Sequence, residues 1–528
     1  MTTDGMVKAT DRLGGAEIGR CLVRLHHDRF TEATVVAEPL RERIFARGID
    51  YEEDVVGILL ANEPAAVDLR RVPLVERERA TIAAIDASAP LIVGGRIASS
   101  DGARIGMPDA LVHVDDGYAP VEIKHHKVIG TSGRPALVSP LETLAEVGST
   151  EVPFRSFRKR DLLQVAHYRS LLEDRDYASA RPIGGVIGSD DPIVCLWVDF
   201  IEGDRPINTD YDAYLVAASE AITWGQEHPD SPLHEPWAHG ECQRCDWVDL
   251  CTAKMVAIDD PTLLRGVGPL ERTELADLGV TTGAAVASLP IDNDLVDGEV
   301  VMQARARVSG SLLRQSSGHQ AMPLRSAPTE VDFDLETIGG RIYLAGLYIT
   351  EGDNAHFTYL ADWTGSEEGE ARLVDDLFTR FARWPDDAVM YHWTEYEIRT
   401  LTEAADRHDL AIDGYETVAD WFEQHAVDLC AWSRSHFVSP AGHSLKTIAP
   451  LCGFSWRDDD PGGLQSEIWF EALQAGDAGM QPRILEYNED DVRAQAAVRD
   501  FVRAHDDGPG PGSSIPSVHD WPVAELAR

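Results

Sequence analysis

Three stretches of this sequence hold residues whose types and spacing can do chemistry. The first, "ECQRCDWVDLC" (241–251), sets Cys242, Cys245 and Cys251 at Cys-x2-Cys-x5-Cys in a chain with 7 cysteines. Cysteines a few residues apart can point into one metal sphere, but zinc or an iron–sulfur cluster takes four ligands, so one lies elsewhere. Cys195 falls in "PIVCLWVDF", an apolar strand-like run that suits a buried thiol, and Cys430 and Cys452 fall in a later domain. Cys21 remains, in the helix-like "GRCLVRLHHDRF" with Leu22, Leu25 and Phe30 on its apolar side. The second stretch, "IGMPDALVHVDDGYAPVEIKHHKV", gives Asp109 and then Glu122-Ile123-Lys124. Two carboxylates are hard oxygen ligands for Mg2+ or Mn2+, and a lysine beside them can position a nucleophile or offset charge. The third, "VDFDLETIGGRIYLAGLYIT", repeats the theme with Asp334 and Glu336.

The elements around these residues must bring them together. "DALVHVD" and "YAPVEIKH" alternate like paired strands about the turn "VDDGY". On such strands Glu122 and Lys124 share a face, and Asp109 meets them across the hairpin. "LLQVAHYRSLLE" reads as a helix with Gln164 and Tyr168 at i and i+4. Just before it, "FRSFRKRD" is the densest basic stretch, and Arg155, Arg158, Lys159 and Arg160 are candidates to touch phosphate; a solvated charged turn is the alternative. Asp334 and Glu336 share one face of a strand that turns at Gly339-Gly340 and returns as another. "ILEYNEDDVRAQAAV" reads as a helix with Tyr487 and Asp491 at i and i+4, and Asp490 takes over if the register is off by one.

With 528 residues the chain exceeds one core, and ordinary domain size suggests about three to four units. A hydrophobic share of 44% and a charged share of 26% read as globular. No apolar run reaches about 18 residues and the N-terminus lacks a signal-peptide core, so a cytoplasmic protein without membrane spans is expected. The net charge of −43, from 47 Lys+Arg against 90 Asp+Glu, argues against tight nonspecific binding of nucleic acid. It leaves room for a local basic groove, or for carboxylate sites in which metal ions make up the charge.

The cysteine pattern, one distant N-terminal thiol plus Cys-x2-Cys-x5-Cys, resembles the 4Fe-4S staple of RecB-type nuclease domains, known from bacterial helicase–nucleases and CRISPR-associated exonucleases. The resemblance implies a structural cluster on Cys21, Cys242, Cys245 and Cys251, with zinc or unliganded thiols as alternatives, enclosing a PD-(D/E)XK core built on Asp109, Glu122 and Lys124. Closing so long a loop would remove much unfolded-state entropy. "FARGIDYEEDV" is similar to the family's RGxxH helix motif followed by a glutamate, which implies Glu52 as a further metal-site acid, with Tyr51 standing where the family has His. Gln164 and Tyr168 match its QxxxY motif. "LLRGVGPLERTELADLGVTTGAAVASLP" resembles a helix-hairpin-helix module, in which Gly266 and Gly268 would offer backbone N–H groups to a phosphate.

Asp334 and Glu336 resemble the opening motif of DnaQ-like DEDD exonucleases of the RNase H fold, where such a pair binds two metal ions. "DAVMYHWTEYEIRTL" places His392 and Glu397 where that family has N-x3-[FY]-D. Tyr487 and Asp491 match YxxxD, which implies that Tyr487 orients the attacking water and Asp491 completes the metal site. Asp428 is a possible accessory acid, and Cys430 and Cys452 are read as core.

Taken together, the chain is similar to predicted RecB-family nucleases that carry a C-terminal ribonuclease-H-like exonuclease domain. The expected fold is α/β: a restriction-endonuclease-like PD-(D/E)XK core with an iron–sulfur staple over 1–258, a helix-hairpin-helix-like segment over 259–308, a linker over 309–328, an RNase H-like α/β domain over 329–506 and a Pro/Gly/Ser-rich tail over 507–528 that docks or dangles. The expected function is a nuclease using Mg2+ or Mn2+, acting on DNA rather than RNA at single-stranded or free ends, exonuclease before endonuclease, in repair or nucleic-acid turnover. No GxxxxGK[ST] loop is present, so strand separation would need a separate helicase. The competing expectations are a noncatalytic nucleic-acid-binding or scaffold protein that keeps nuclease folds, and a zinc-bound ribonuclease-like processing factor.

Overall fold

A computed structural model describes residues 12–32, 39–155, 158–203, 206–315, 323–458, 463–505 and 515–521. The chain divides into two compact units, Met1–Thr252 and Ala253–Arg528. None of the helices among the described residues is long and apolar enough to cross a membrane.

The first unit is built on a mixed sheet of eight strands: β1 (Val67–Asp68), β2 (Leu91–Val93), β3 (Ala110–Val114), β4 (Gly117–Ile123), β5 (Gly133–Pro140), β6 (Glu151–Arg155), β7 (Ile183–Ile187) and β8 (Val194–Asp199), in the order β1-β2-β3-β4-β7-β8-β5-β6. β3 and β4 form the expected hairpin, Ala110 opposite Val121 and Val114 opposite Gly117. Helices α1 (Leu22–Phe30), α2 (Pro39–Asn62) and α3 (Lys159–Glu173) accompany the sheet. Val55, Val56 and Leu59 of α2 share one core with Ala119, Val121 and Ile123 of β4. Leu171 and Leu172 of α3 share another with Tyr118. Every residue of β4 is consequently buried, as expected of a central strand covered on both faces. Helix α1 is tied to the cysteine loop by side chains: the Cys21 N–H donates to Glu241 Oε2 at 2.8 Å and Trp247 Nε1 donates to Asp28 Oδ1 at 2.7 Å.

The second unit starts with α4 (Pro269–Asp277) and α5 (Gly298–Ser309). Its sheet contains β9 (Thr329–Ile338), β10 (Arg341–Glu351), β11 (Asn354–Ala361), β12 (Val389–His392) and β13 (Ala426–Asp428), in the order β11-β10-β9-β12-β13. β9, β10 and β11 run antiparallel, and β12 and β13 continue parallel to β9. Gly339 and Gly340 both take positive φ, +57° and +82°, the left-handed conformation that a tight hairpin demands of its two central residues. Around the sheet lie α6 (Glu367–Phe381), α7 (Tyr396–His408), α8 (Leu445–Leu451), α9 (Gly463–Gln474) and α10 (Met480–His505).

Alternation along β9 divides its side chains cleanly. Val331, Phe333 and Leu335 join Leu373, Val374, Leu377 and Phe378 of α6 in the core. Glu330, Asp332, Asp334 and Glu336 take the other face, towards α10, where Arg503 and Arg499 meet the first two and Asn488 meets the third. The segment read as a helix-hairpin-helix belongs to this unit, and the expected linker contributes a strand, Leu313–Arg314 pairing with Phe437–Val438; residues 316–322 of that linker lie outside the described residues. Part of the tail docks: Ile515 and Val518 are buried, and buried Arg305 donates to Ala287 O, Leu289 O and Val518 O at 2.9, 2.7 and 2.5 Å.

Candidate active sites

In the first unit, Asp109 precedes β3 and faces the end of β4. Its Oδ2 accepts the Ile123 N–H at 2.7 Å. Lys124 Nζ donates to Glu122 Oε1 at 2.8 Å and to Gln164 Oε1 at 3.1 Å, while Gln164 Nε2 donates to Glu122 Oε1 at 2.7 Å and reaches the Tyr168 hydroxyl at 2.8 Å. Two strands and one helix thus bring five of the residues singled out in the sequence to one place. Burial, then the charges of Glu122 and Glu52, push Asp109 well above the ordinary carboxylate range. Burial also raises Glu122 and Glu52, with Lys124 opposing both. Glu122 Oε2 is buried without a hydrogen-bond partner, but Asp109, Glu122 and Glu52 do not bring three carboxylate oxygens within 4.8 Å of one another. Tyr51, in place of the expected His, donates its hydroxyl to Gly188 O at 2.6 Å and stacks on His125 at 5.0 Å; its oxygen is occupied in holding α2.

Cys21, Cys242, Cys245 and Cys251 line one small cavity together with Val23, Trp237 and Val248. Burial raises the Cys21 and Cys245 thiols, which disfavours thiolate unless a cationic centre shares the cavity. The four cysteines share this cavity with Arg24, His239 and Glu241, but no three of their sulfurs lie within 4.8 Å of one another, as one zinc ion would require.

The basic stretch is largely engaged within the fold. Arg155 Nε donates to Ile129 O at 2.7 Å, Arg160 Nη2 to Ala16 O at 3.1 Å, and Lys159 pairs with Asp210 at 2.6 Å; Arg158 has partners as well. Contact with phosphate would have to displace or share these bonds. The expectation for Gly268 also changes. Its N–H donates to Glu271 Oε2 at 2.9 Å, so a glutamate caps the helix where a phosphate was expected, and Pro269 adds no N–H. Gly266 keeps the turn, at φ +97°.

In the second unit, one oxygen each of Asp334, Glu336 and Asp491 lies within 4.8 Å of the others. Asp334 and Glu336 come from β9, and Asp491 from the facing side of α10. Asn488 Nδ2 donates to Asp334 Oδ2 at 2.8 Å, Ser466 Oγ to Glu336 Oε2 at 2.5 Å, and Trp456 Nε1 to Asp491 Oδ1 at 2.7 Å. Lys446 Nζ also bonds Asp491 Oδ1 and sits 4.3 Å from the Trp456 ring centroid and 4.5 Å from that of Tyr487. Asp490 points elsewhere, accepting from Arg457 N and Nε at 2.8 Å each, which settles the helix register in favour of Asp491. Tyr487 is buried edge-on to Trp469 beside the acids.

Glu397, in the first turn of α7, stays outside that three-oxygen group, although its charge acts on Asp334. His392 Nδ1 lies 3.8 Å from Glu397 Oε2, too far for a hydrogen bond, and is itself 2.5 Å from Thr394 O. Glu397 Oε2 is therefore buried without a partner, and burial raises its carboxyl. Asp428 accepts from Ala431 N at 2.8 Å and caps a helix. Burial, then Glu336 and Asp491, raise Asp334 well above its ordinary range, and burial with Asp491 pushes Glu336 up to about 8. Crowded carboxylates with an orphaned oxygen fit divalent cations.

Those shifts give a signed expectation. Raised folded-state values mean that the folded, metal-free protein holds protons that the unfolded chain has released above about pH 4. The stability they confer is present at low pH and is lost as pH rises through the ordinary carboxylate value towards about 8. Metal-free protein should melt at falling temperature from about pH 5 to about pH 8, and Mn2+ should recover the loss at the upper end. Because net charge adds a slope of its own, Asp334→Asn/Glu336→Gln is the control; an equally steep slope in that variant would refute the assignment.

Lys446, Trp456, Ser466 and Asn488 were not singled out in the sequence as site residues. Asn488 adjoins Tyr487 and Lys446 is the one cation of "SLKTIAPLCGF", but neither stands at a spacing that marks it. Gly346 was missed for a different reason: a Cβ there would lie 1.7 Å from Asn488 Oδ1, so only glycine lets Asn488 reach Asp334. Gly346→Ala should cost about 1–3 kcal/mol as an overpacked substitution. A denaturant midpoint equal to wild type would refute it.

Comparison with curated proteins finds no match for the chain. A family model described as RNase H superfamily matches residues 331–503, which span β9 to α10 and every acid of the second centre. The second unit therefore carries an RNase H-like domain, a nuclease-type fold.

Proposed function

We propose that this protein is a divalent-metal-dependent nuclease that hydrolyses phosphodiester bonds of nucleic acid at single-stranded or free ends, DNA rather than RNA and exonucleolytically. The observation that carries the reading is the meeting of Asp334, Glu336 and Asp491 oxygens within 4.8 Å inside an RNase H-like domain. Bound Mg2+ or Mn2+ would supply an activated water and charge stabilisation at the phosphate. Asp334, Glu336 and Asp491, with Glu397 beside them, would hold the ions. Asn488, Ser466 and Trp456 fix the orientation of those carboxylates, as partners of ligating groups do. Tyr487 would orient the attacking water.

The first unit is read as a second nuclease centre of the PD-(D/E)XK type, with Asp109, Glu122 and Glu52 as metal-site acids, Lys124 offsetting charge, and Gln164 and Tyr168 holding the group. Cys21, Cys242, Cys245 and Cys251 would hold a structural 4Fe-4S cluster; their shared cavity supports this. One observation favours a second reading, a nucleic-acid-binding protein without catalysis: the Lys446 ammonium already bonds Asp491.

The test is a time course of end-labelled single-stranded DNA and RNA with Mn2+, comparing wild type, Asp334→Asn and Lys124→Ala, purified without air. Loss in one variant assigns the cutting to that unit. Intact DNA and RNA with wild type would overturn the nuclease reading in favour of binding.

A further inference from the structure

The second unit has an open cleft of about 480 Å3 whose lining includes the aromatic Tyr396, the cations Arg399 and Arg434, and the acids Glu395 and Asp428. That volume lies within the roughly 300–1,000 Å3 of small-ligand sites. It adjoins the acidic centre through two connections. Tyr396 immediately precedes Glu397, and its hydroxyl is 2.7 Å from that of Thr337, the residue after Glu336. Asp428 Oδ1 is 3.4 Å from the N–H of Thr394, which closes the His392–Thr394 turn.

The lining has the chemistry of a strand path. Tyr396 is 38% exposed, with the Arg399 guanidinium 5.8 Å from its ring centroid. The partner of Arg399 is Glu403 at 3.9 Å, both side chains about two-thirds exposed, a pair that holds the cation weakly. Among the described residues Arg434 has no ion pair, in a chain where Asp+Glu outnumber Lys+Arg 90 to 47. Two acids share the lining: Asp428 is occupied in capping Ala431 at 2.8 Å, and the exposed Glu395 sits beside Tyr396 at the start of α7, so the two arginines carry the attraction for phosphate. Aromatic faces beside arginines bind single strands by stacking bases and pairing phosphates.

Resting on the nuclease reading, we infer that this cleft seats the single-stranded nucleic acid next to the scissile bond, a base on Tyr396 and phosphates on Arg399 and Arg434. Stacking on Tyr396 is sequence-tolerant, because every base offers a π face.

The experiment is fluorescence anisotropy of a 5′-fluorescein oligothymidylate with the full chain in Ca2+, which allows binding to be read without cutting. Arg434→Gln should weaken binding about tenfold and lower the slope of log affinity against log salt by about one. Tyr396→Ala should weaken it about tenfold while Tyr396→Phe retains it, and Arg372→Gln, an exposed cation elsewhere on the unit, should bind as wild type. Arg434→Gln binding like wild type, or no better distinguished than Arg372→Gln, overturns the cleft. So does a wild type that fails to bind the oligonucleotide. If wild type cuts in Mn2+ and the cleft variants bind normally, the nuclease reading stands and the cleft fails; if wild type never cuts yet Arg434→Gln and Tyr396→Ala lose binding, the cleft stands and the nuclease reading fails.

Discussion

Asp334→Asn is expected to lower Mn2+-dependent cutting by the second unit about a thousandfold or more, the scale of removing a preorganised charge from a catalytic centre. The same substitution should leave the fold intact or make it more stable. Asp334 is half-buried beside Glu336, Asp491 and Glu397, whose charges all oppose its ionisation, so a neutral amide of nearly the same shape relieves repulsion. Asn488 can still hydrogen-bond an amide oxygen in place of Oδ2. Loss of cutting with an unchanged or higher unfolding midpoint is thus the signature of a working acid. Loss of cutting with a large fall in midpoint would instead make Asp334 structural, and full activity would move the chemistry to the first unit.

Arg499→Leu should have the largest effect on stability. Its Nη1 donates to Asp332 Oδ2 at 2.5 Å, its Nε to Asp500 Oδ1 at 3.1 Å, and both Arg499 and Asp332 side chains are 2% exposed or less. Asp332 Oδ1 already lacks a partner, so loss of the guanidinium would leave the carboxylate buried and wholly unpaired. Breaking such a pair costs about 3–5 kcal/mol, whereas replacing both partners by apolar residues is often near neutral. The check is a denaturant series on Arg499→Leu, Asp332→Val and the double variant. Recovery of most of the loss in the double variant supports the argument; additive losses would mean that packing, not charge, is at stake. Since Asp332 and Asp334 share a strand face and Arg499 lies two turns from Asp491 on α10, the pair also fixes how the helix carrying one metal-site acid meets the strand carrying the other two.

Local pattern was legible in the chain. The β3–β4 hairpin follows from alternation around Asp115-Asp116, and the β9–β10 hairpin from alternation around Gly339-Gly340, because a two-residue side-chain period and a tight turn are properties of adjacent residues. For the same reason Gln164 with Tyr168, and Tyr487 with Asp491, were readable as helix-face pairs. Less legible was anything set by partners remote in sequence. Gly268 looked like an open phosphate cradle until Glu271 was found to occupy its N–H, and the basic stretch at 155–160 looked free until Ile129, Ala16 and Asp210 were found beside it.

Strand β9 shows most clearly where the division falls. By itself the sequence "TEVDFDLET" determines that Glu330, Asp332, Asp334 and Glu336 share one face of a strand, since side chains alternate with period two. It contains nothing that separates the first two acids from the last two. Tertiary structure makes that separation: Arg503 and Arg499, one turn apart on α10 and, for Arg499, 167 residues beyond its partner, neutralise Glu330 and Asp332. No arginine reaches Asp334 and Glu336 among the described residues; Asn488, Ser466 and the carboxylate of Asp491 meet them instead. Whether a buried carboxylate is a strut or a ligand depends on the charge that faces it, and that charge is brought by folding.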